Sequence, residues 1–388
     1  MKWVFWVSAG VIAYVYIGYP LWLYIRARVW SRPVRRAPIF PSVSIVIAVH
    51  NEAKVLPQKL RNLAELHYPA DHYEIVIVSD GSTDATNQIL AAHANERLRV
   101  FVLPDQQGKA SALNQAIQAV RGEIVVFTDA RQMIERDALR HLVANFADPG
   151  VGCVSGELIL RESDPGTSLG GVGLYWSIEK KIRYWEGLSG SVVGATGALY
   201  AVRKQFLVAL PAETILDDVY IPLLVARQGG RVVFEPRARA WDSLAESGRD
   251  EFRRKVRTLT GTYQLLQLAP WLLRKENPVR FQFISHRLLR SFVPFFLPGL
   301  FLSSWWLAGT VFYRIFAALQ LAFYLCAVVG LWLRVKRLGM LLAAPAGFCL
   351  LNAAAVVAFV NFLFRRSTPR QLWVSAAPGE AMTAREDR

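Results

Sequence analysis

The stretch Ile124-Val-Val-Phe-Thr-Asp-Ala130 reads as a buried strand that places one carboxylate, Asp129, at its carboxyl end. Two earlier apolar runs, 43–49 and 74–78, end in the same way. The first leads into His50-Asn51-Glu52 and the second into Ser79-Asp80-Gly81-Ser82-Thr83-Asp84. In an open parallel sheet, ligands bind at the carboxyl ends of the strands, near the point where the strand order reverses. The three stretches therefore predict a single site at one edge of a parallel sheet.

Four long uncharged runs indicate a multi-pass integral membrane protein. Hydrophobic residues make up 53% of the 388 residues, and the uncharged runs cover 3–25, 291–313, 315–333 and 338–364. A helix needs about 20 residues to cross a bilayer core. The first run is too long for the apolar part of a signal peptide, and arginines without acids follow it, so we interpret it as an anchor with the following chain in the cytoplasm. The expected location is the inner or plasma membrane.

Two membrane topologies are compatible with the sequence after the soluble domain. Three spans after the soluble domain would place the basic tail outside, although basic residues favour the inside. The alternative is that one segment, such as that containing Pro294 and Pro298, is re-entrant.

The formal net charge of +15 does not indicate a nucleic-acid-binding protein. Basic residues are concentrated beside the apolar runs, as at Arg334-Val-Lys-Arg337, where anionic lipid and topology explain them. The expected partner is therefore a lipid bilayer and not a nucleic acid. Three cysteines, two of them within apolar runs, give no disulfide framework.

Alternating strands and helices between residues 43 and 128 predict an α/β domain. Strands are expected at 43–49, 74–79, 98–103 and 123–128, with helices at 53–66, 84–96 and 109–120. This alternation implies right-handed crossovers and a parallel sheet. The predicted organisation is an anchor with a basic flank at 1–36, the α/β domain at 37–249, an amphipathic interface helix region at 250–286, about three transmembrane helices at 287–366 and a disordered tail at 367–388.

The order of these motifs resembles that of the inverting family 2 glycosyltransferases. The motifs are Asn51-Glu52, the turn at 79–84, Gly108-Lys109-Ala-Ser-Ala-Leu-Asn114, Asp129, Gly194-Ala195-Thr196-Gly197 and Asp217-Asp218. With its anchors, the chain is similar to the membrane-integrated synthases of cellulose, hyaluronan and poly-N-acetylglucosamine. The resemblance implies a GT-A fold, which is a Rossmann-like and mostly parallel sheet, with α-helical transmembrane segments at both ends.

Three motifs are candidates for binding a nucleotide-sugar. Asp80 ends a strand in a small-residue turn, where a carboxylate can accept hydrogen bonds from a base or ribose, and Asn51-Glu52 lies beside it in the proposed sheet. Lys109 follows a glycine and opens a helix, where an ammonium and free amides together can hold a phosphate. The alternatives are an Asx-turn at Asp80 and Asp84, a helix cap at Asn51-Glu52, and a solvated lysine.

Asp129 is the candidate metal ligand. Hard divalent cations such as Mg²⁺ or Mn²⁺ prefer carboxylate and phosphate oxygens and can neutralise a diphosphate leaving group. The resembling family commonly has Asp-x-Asp here, whereas this chain has Asp129-Ala130-Arg131. Arg131 either contacts a phosphate or points away into a structural ion pair.

Two further motifs are candidates for the acceptor side. Gly194-Ala195-Thr196-Gly197 has room for a sugar ring, although a turn with positive φ explains its glycines equally well. Asp217-Asp218 supplies carboxylates beside an apolar segment, which suits a general base, or simply caps the next helix. By the family pattern, Asp218 is the catalytic base and Asp217 its supporting neighbour.

An amphipathic stripe follows the domain, with basic residues beside it. Its apolar members recur at helical spacing: Phe252, Val256, Leu259, Tyr263 and Leu266. Such a helix lies in a membrane interface or simply faces a core. The resembling synthases carry Gln-x-x-Arg-Trp here, whereas this chain has Arg254-Lys-Val-Arg257-Thr258. The resemblance implies that Arg257 binds the diphosphate and Arg254 the acceptor region, while the missing tryptophan argues against processive polymerisation.

The predicted function is inverting transfer of a sugar from a nucleotide-diphosphate sugar, expected to be a UDP-sugar, to a membrane-associated glycan or lipid-linked acceptor in exopolysaccharide or cell-envelope glycan synthesis. One alternative is a non-processive transferase that adds a single sugar to a lipid-linked acceptor. The other is a non-catalytic membrane scaffold that binds a sugar nucleotide. Export or synthase partner proteins are further expected partners.

Overall fold

The computed structural model describes residues 1–161, 170–243, 248–333 and 339–364. The predicted disordered tail at 367–388 lies outside these residues. The strands are β1 Val43–Val49, β2 Tyr73–Asp80, β3 Leu98–Leu103, β4 Ile124–Phe127, β5 Met133–Ile134, β6 Val151–Arg161, β7 Tyr200–Arg203 and β8 Arg231–Ser243. The helices are α1 Lys2–Ala13, α2 Tyr19–Val29, α3 Leu56–Ala64, α4 Thr86–His93, α5 Lys109–Ala119, α6 Ala138–Ala144, α7 Gly170–Ser189, α8 Asp217–Arg227, α9 Gly248–Leu268, α10 Arg280–Gln282, α11 Leu289–Trp306, α12 Val311–Leu333 and α13 Gly339–Leu363.

The chain forms two compact units. A helical unit comprises the described residues of Met1–Pro33, Leu160–Val193 and Ser243–Arg366, and a sheet unit comprises those of Val34–Ile159 and Gly194–Asp242. The predicted soluble domain at 37–249 thus includes residues 160–193, which cluster with the helices. The other predicted domain boundaries stay predictions.

The sheet unit is built on an eight-stranded sheet in the order β3-β2-β1-β4-β7-β6-β8-β5. The strands from β3 to β4 are parallel, as the sequence predicts. All seven residues of β1 are buried, and six of them are apolar, as expected for a parallel strand that is covered on both faces. The carboxyl ends of β1, β2 and β4 share one edge, where the strand order turns from β1 towards β4.

The second half of the sheet is antiparallel. Strand β7 pairs antiparallel with both β4 and β6, and β5 pairs antiparallel with β8. Phe127 of β4 lies opposite Tyr200 of β7, and their rings stack with centroids 4.8 Å apart. This pairing brings the segment just before β7 to the same edge as the end of β4.

The helical unit contains four helical segments that are long and apolar enough to cross a membrane, as predicted. They are Lys2–Val29, Arg280–Trp306, Val311–Leu331 and Leu341–Leu363. The second segment starts earlier than its predicted run of 291–313. It also ends earlier, because a turn at 307–310 separates α11 from α12. Helix α11 continues through Pro294 and Pro298 without the break that a re-entrant loop needs.

A buried polar network joins α7 to two of these segments. His286 lies between two glutamates, with Nδ1 2.9 Å from Glu186 Oε1 and Nε2 3.1 Å from Glu179 Oε2. The Tyr19 hydroxyl donates to Glu186 Oε1 at 2.7 Å, and Arg290 donates to Glu179 Oε2 at 2.7 Å. Burial alone would raise the pKa of Glu179, but the nearby His286, Arg290 and Arg183 hold it well below its usual range. The network thus supplies partners for polar groups that are costly to bury alone.

Candidate functional site

Lys109 contacts two other residues that the sequence assigns to the site. It is the first residue of α5 and follows Gly108, whose φ of 100° suits a residue without a Cβ. Its Nζ lies 3.0 Å from Asp129 Oδ1 and 3.2 Å from Asp217 Oδ1. Burial lowers the pKa of Lys109, but Asp129 and Asp217 raise it more, so its pKa lies above the usual value. The solvated-lysine alternative is therefore wrong.

The two adjacent acids at the start of α8 have different surroundings. Asp217 is 4% exposed and, besides its contact with Lys109, accepts a hydrogen bond from the Tyr200 hydroxyl at 3.3 Å. Asp218 is only partly buried, and its Oδ2 accepts from the Gly197 backbone N–H at 3.0 Å. No side chain caps the start of α8. Simple side-chain capping of α8 therefore does not explain the two acids, and their catalytic roles stay predictions.

The small-residue loop before β7 is held by Asp218. The backbone N–H of Ala195 donates to the Asp218 carbonyl at 2.7 Å, and that of Thr196 donates to Ser155 Oγ at 3.1 Å. Neither Gly194 nor Gly197 has a positive φ, so the turn-based explanation of these glycines is wrong. A Cβ on Gly197 would lie 3.3 Å from Asp218 Oδ2, so a larger residue there would require the carboxylate or the loop to shift. Acceptor binding by residues 194–197 stays a prediction.

Asp80 holds the segment that leads into Lys109. Its side chain is 0% exposed, and its two carboxylate oxygens accept from the backbone N–H groups of Gln107 at 2.7 Å and Gly108 at 2.8 Å. Gly81 follows with a φ of 60°, and a Cβ there would lie 2.3 Å from the Gln106 nitrogen. The Asp80 carboxylate therefore binds backbone N–H groups of the segment before α5, and its contact with a nucleoside stays a prediction.

Asn51 holds the neighbouring turn. It has a φ of 54°, and its Oδ1 accepts from the backbone N–H groups of Thr83 at 2.8 Å and Asp84 at 3.3 Å. The Glu52 backbone N–H donates to Thr86 Oγ1 at 2.9 Å. Helix α3 starts only at Leu56 and has no side-chain cap. The cap alternative for Asn51-Glu52 is therefore wrong, and nucleotide binding by this pair stays a prediction.

Asp84 has the local structural role that the Asx-turn alternative gave it. Its Oδ1 accepts from the Thr86 backbone N–H at 2.9 Å, at the start of α4. Its Oδ2 accepts from the Ala53 backbone N–H at 3.1 Å. Asp84 therefore links the turn at 79–84 to the segment that precedes α3.

Arg131 points into a structural ion pair, as one of the two sequence alternatives states. Its Nη2 lies 3.1 Å from Asp242 Oδ2. Within the described ranges, no group of three or more His, Cys, Asp or Glu side chains could hold a metal ion. Asp129 thus offers one carboxylate, with a side chain that is 37% exposed. This donor set fits a Mg²⁺ or Mn²⁺ ion that takes further oxygens from a substrate diphosphate and water.

Four residues that shape the site were not singled out from the sequence. They are Lys59, Thr128, Tyr200 and Asp242. Lys59 is fully buried, and burial lowers its pKa to about 7 against the opposing effect of the Asp129 charge. The spacing of Leu56, Lys59 and Leu63 on one helical face could have indicated this burial.

The two predicted arginine contacts belong to the helical unit. Arg254 and Arg257 lie on α9, and both are partly buried. Tyr263 of the same helix is 1% exposed, and its hydroxyl donates to the Ser291 carbonyl at 2.9 Å. The apolar stripe of α9 therefore packs against other helices at Tyr263. Donor binding by Arg257 and acceptor binding by Arg254 stay predictions.

Residues 44–207 match the family model described as Glycosyl transferase family 2. A poly-beta-1,6-N-acetyl-D-glucosamine synthase of Staphylococcus aureus is 26% identical over 249 residues, which are 62% of this chain and 60% of that protein. A beta-monoglucosyldiacylglycerol synthase of Nostoc sp. is 31% identical over 212 residues, which are 51% of this chain and 43% of that protein. The chain thus spans less than two thirds of the length of these relatives.

A solved structure has a similar fold over most of this chain. It is the mannosyltransferase PcManGT from Pyrobaculum calidifontis in complex with GDP-Man and Mn²⁺. The TM-score is 0.72, the sequence identity is 23%, and the match covers 94% of this chain and 100% of the other.

Proposed function

Because the chain carries a glycosyltransferase domain of family 2, we propose that it transfers a sugar from a nucleotide-diphosphate sugar to a membrane-associated acceptor, with inversion at the anomeric carbon. The observation that carries the proposal is the meeting of Asp129 and Asp217 at Lys109, with Asp218 beside them. A cation between carboxylates at the edge of an open α/β sheet is a suitable place for a charged donor.

Asp218 is the proposed general base. The acceptor hydroxyl loses its proton to the Asp218 carboxylate while its oxygen forms a bond to the anomeric carbon. The bond from that carbon to the diphosphate oxygen breaks on the opposite side, and the nucleoside diphosphate leaves with the electron pair. The hydrogen bond from Gly197 fixes the orientation of the carboxylate, which general-base catalysis needs. Asp217 supports it by holding Lys109.

Lys109 is the proposed diphosphate-binding cation. Its ammonium is fixed by two carboxylates and lies at the start of a helix, where the backbone also favours anions. Asp129 would hold a divalent cation together with diphosphate oxygens, and the cation would supply charge neutralisation to the leaving group. Asp80 and Asn51-Glu52 are the proposed nucleoside-binding residues, and Arg257 is a further phosphate contact.

The proposed donor is a UDP-sugar, and the acceptor is a glycan or a lipid-linked sugar of the cell envelope. The two relatives named above support this class because one is a polysaccharide synthase and the other a glycolipid synthase. We place the protein in the inner or plasma membrane with the sheet unit in the cytoplasm, since arginines without acids follow the first span.

Addition of a single sugar is the second candidate, and Thr258 favours it. The Thr258 hydroxyl donates to the Arg254 carbonyl at 3.0 Å, at the position where the resembling synthases carry a tryptophan. A hydroxyl bonded to its own helix offers no aromatic face to a growing glycan. Size analysis of the product distinguishes one added sugar from a polymer.

The test is release of nucleoside diphosphate by the detergent-purified full chain, with UDP and GDP sugars, lipid extract and Mg²⁺ or Mn²⁺. Asp218→Asn keeps the size of the side chain but removes the base, so release should fall by roughly 100-fold or more. Asp71→Asn makes the same change at a side chain that is 83% exposed and should keep the wild-type rate.

Each outcome has a distinct meaning. Equal release by the wild type and Asp218→Asn removes Asp218 as the base. Nucleotide binding without release for any donor favours the sugar-nucleotide-binding scaffold. Release that depends on the cation and on Asp218 establishes transfer or hydrolysis and identifies the donor, and size analysis of the product then shows whether a sugar was added to an acceptor.

A further inference from the structure

Lys59 supports the strand end that carries Asp129. Its side chain is 0% exposed, and its Nζ donates to Thr128 Oγ1 at 3.0 Å and to the Gln132 carbonyl at 2.6 Å. These two acceptors bracket Asp129, one residue before it and three after it. An amine is costly to bury without polar partners, and here both observed partners belong to the same five-residue segment.

The other contacts of this segment show that it is held from several sides. Thr128 Oγ1 donates to the Ala198 carbonyl at 2.8 Å, which connects it to the loop that contacts Asp218. Arg131 and Gln132 both donate to Asp242 Oδ2, at 3.1 and 3.0 Å. Lys59 makes the contacts from α3, and its Nζ joins the two ends of the segment.

We propose that Lys59 is a positioning residue that fixes residues 128–132 and thereby holds the Asp129 carboxylate where the donor diphosphate and its cation bind. The inference rests on the proposed function. Asp129 itself lies 3.0 Å from Lys109, so a shift of the segment would change the spacing between the carboxylate and the phosphate-binding ammonium.

A neighbouring residue of α3 makes a second attachment of this helix to the sheet. Asn62 lies one turn further along the same helix, donates to the Ile134 carbonyl at 2.8 Å and accepts from the Ile134 N–H at 2.8 Å. This pair already attaches α3 to β5. The partners of Asn62 lie five residues beyond Asp129, whereas those of Lys59 bracket it. The two residues therefore form a matched pair for separating positioning from stability.

The experiment compares Lys59→Met with Asn62→Leu in the detergent-purified full chain. Each change removes two hydrogen bonds made by α3 and replaces a polar side chain with an apolar one of similar size. Three quantities are measured for each variant: the melting temperature, the Mn²⁺ concentration for half-maximal donor turnover, and the calorimetric affinity for UDP or GDP with Mn²⁺. Loss of a residue that orients a metal ligand typically weakens metal binding by about 10- to 100-fold.

We expect Lys59→Met to raise the half-maximal Mn²⁺ concentration by roughly tenfold or more. Asn62→Leu should lower the melting temperature comparably and leave the Mn²⁺ requirement within about threefold of the wild type. Equal Mn²⁺ requirements in the two variants, or an unchanged requirement in Lys59→Met, overturn the proposal.

Two further results keep the outcomes distinct. If Lys59→Met does not fold, Thr128→Val is used in its place, because that change removes one acceptor of Lys59 with little change of shape. Thr128→Val must then also raise the half-maximal Mn²⁺ concentration. If the wild type neither binds UDP or GDP with Mn²⁺ nor turns over any donor, the proposed function fails, and the role of Lys59 fails with it. If the wild type binds and Lys59→Met binds equally well, only the role of Lys59 fails.

Discussion

The buried amine of Lys59 should make the stability of the protein depend on pH in a direction that the structure specifies. Burial lowers its pKa from 10.5 to about 7. A difference of this size corresponds to roughly 5 kcal/mol, the cost of keeping the amine charged in the folded state. Between pH 7 and 10.5 the unfolded chain therefore carries a proton that the folded chain lacks. Raising the pH through this window stabilises the folded state, by about 1.4 kcal/mol for each pH unit.

The assay compares thermal melting of the wild type and Lys59→Met in the same detergent at pH 6, 7, 8 and 9. Subtracting the melting temperature of the variant from that of the wild type removes the effect of titratable groups that both proteins have. For a domain of about 150–250 residues, 1 kcal/mol moves the melting temperature by roughly 2–4 °C. The melting temperature of the wild type should therefore rise by roughly 3–6 °C relative to that of the variant for each pH unit between 7 and 9. Between pH 6 and 7 the rise should be small.

A flat difference between pH 7 and 9 would refute the reasoning, because it would mean that the buried amine stays protonated. A difference that falls as the pH rises would also refute it, since that sign requires a raised pKa. Lys59→Gln checks the interpretation, because it keeps a donor near the two acceptors but cannot titrate, and it should follow Lys59→Met.

Three further substitutions test contacts described above. Asp80→Asn places an amide donor against the N–H groups of Gln107 and Gly108, so thermal melting should show a loss of about 1–3 kcal/mol. Gly81→Ala puts a Cβ 2.3 Å from the Gln106 nitrogen at a φ of 60° and should strongly reduce the yield of folded protein, whereas Gly10→Ala meets nothing within 4 Å and should not. His286→Phe leaves Glu179 and Glu186 without their shared partner and should cost about 3–5 kcal/mol in denaturant unfolding, whereas His93→Phe at the surface should cost little.

The sequence predicts the first half of the sheet and the four candidate spans within the described residues, because each has a strong local pattern. Strands β1 and β3 have the predicted bounds. The GT-A-like fold is confirmed. Helix α3 starts later than its predicted position at residue 53, because the backbone N–H groups of Glu52 and Ala53 donate to Thr86 at the start of α4 and to Asp84 of the neighbouring turn. That contact joins residues more than 30 positions apart, and local periodicity carries no information about it.

The second half of the sheet depends on such distant contacts almost entirely. Phe127 pairs with Tyr200, and the Tyr200 hydroxyl then reaches Asp217. A strand of four residues such as β7 has too few positions for its pattern to specify a partner or a direction. The chemical types of the site residues were therefore predictable from sequence, whereas the residues that hold them were not.

The contacts of Arg131 also explain why an arginine suits the position where the resembling family commonly has a second aspartate. A second acid at position 131 would point towards Asp242, whose Oδ2 already accepts from Arg131 and Gln132. The arginine instead supplies a positive charge to a carboxylate that is only 5% exposed and fastens the segment next to Asp129. A cation at Asp129 must then take most of its oxygen ligands from the diphosphate and from water. If Asp129 binds the cation as proposed, cation binding and donor binding are expected to depend on each other. Both then depend on the position of this one carboxylate, which contacts Lys109 and lies in the segment that Lys59 contacts.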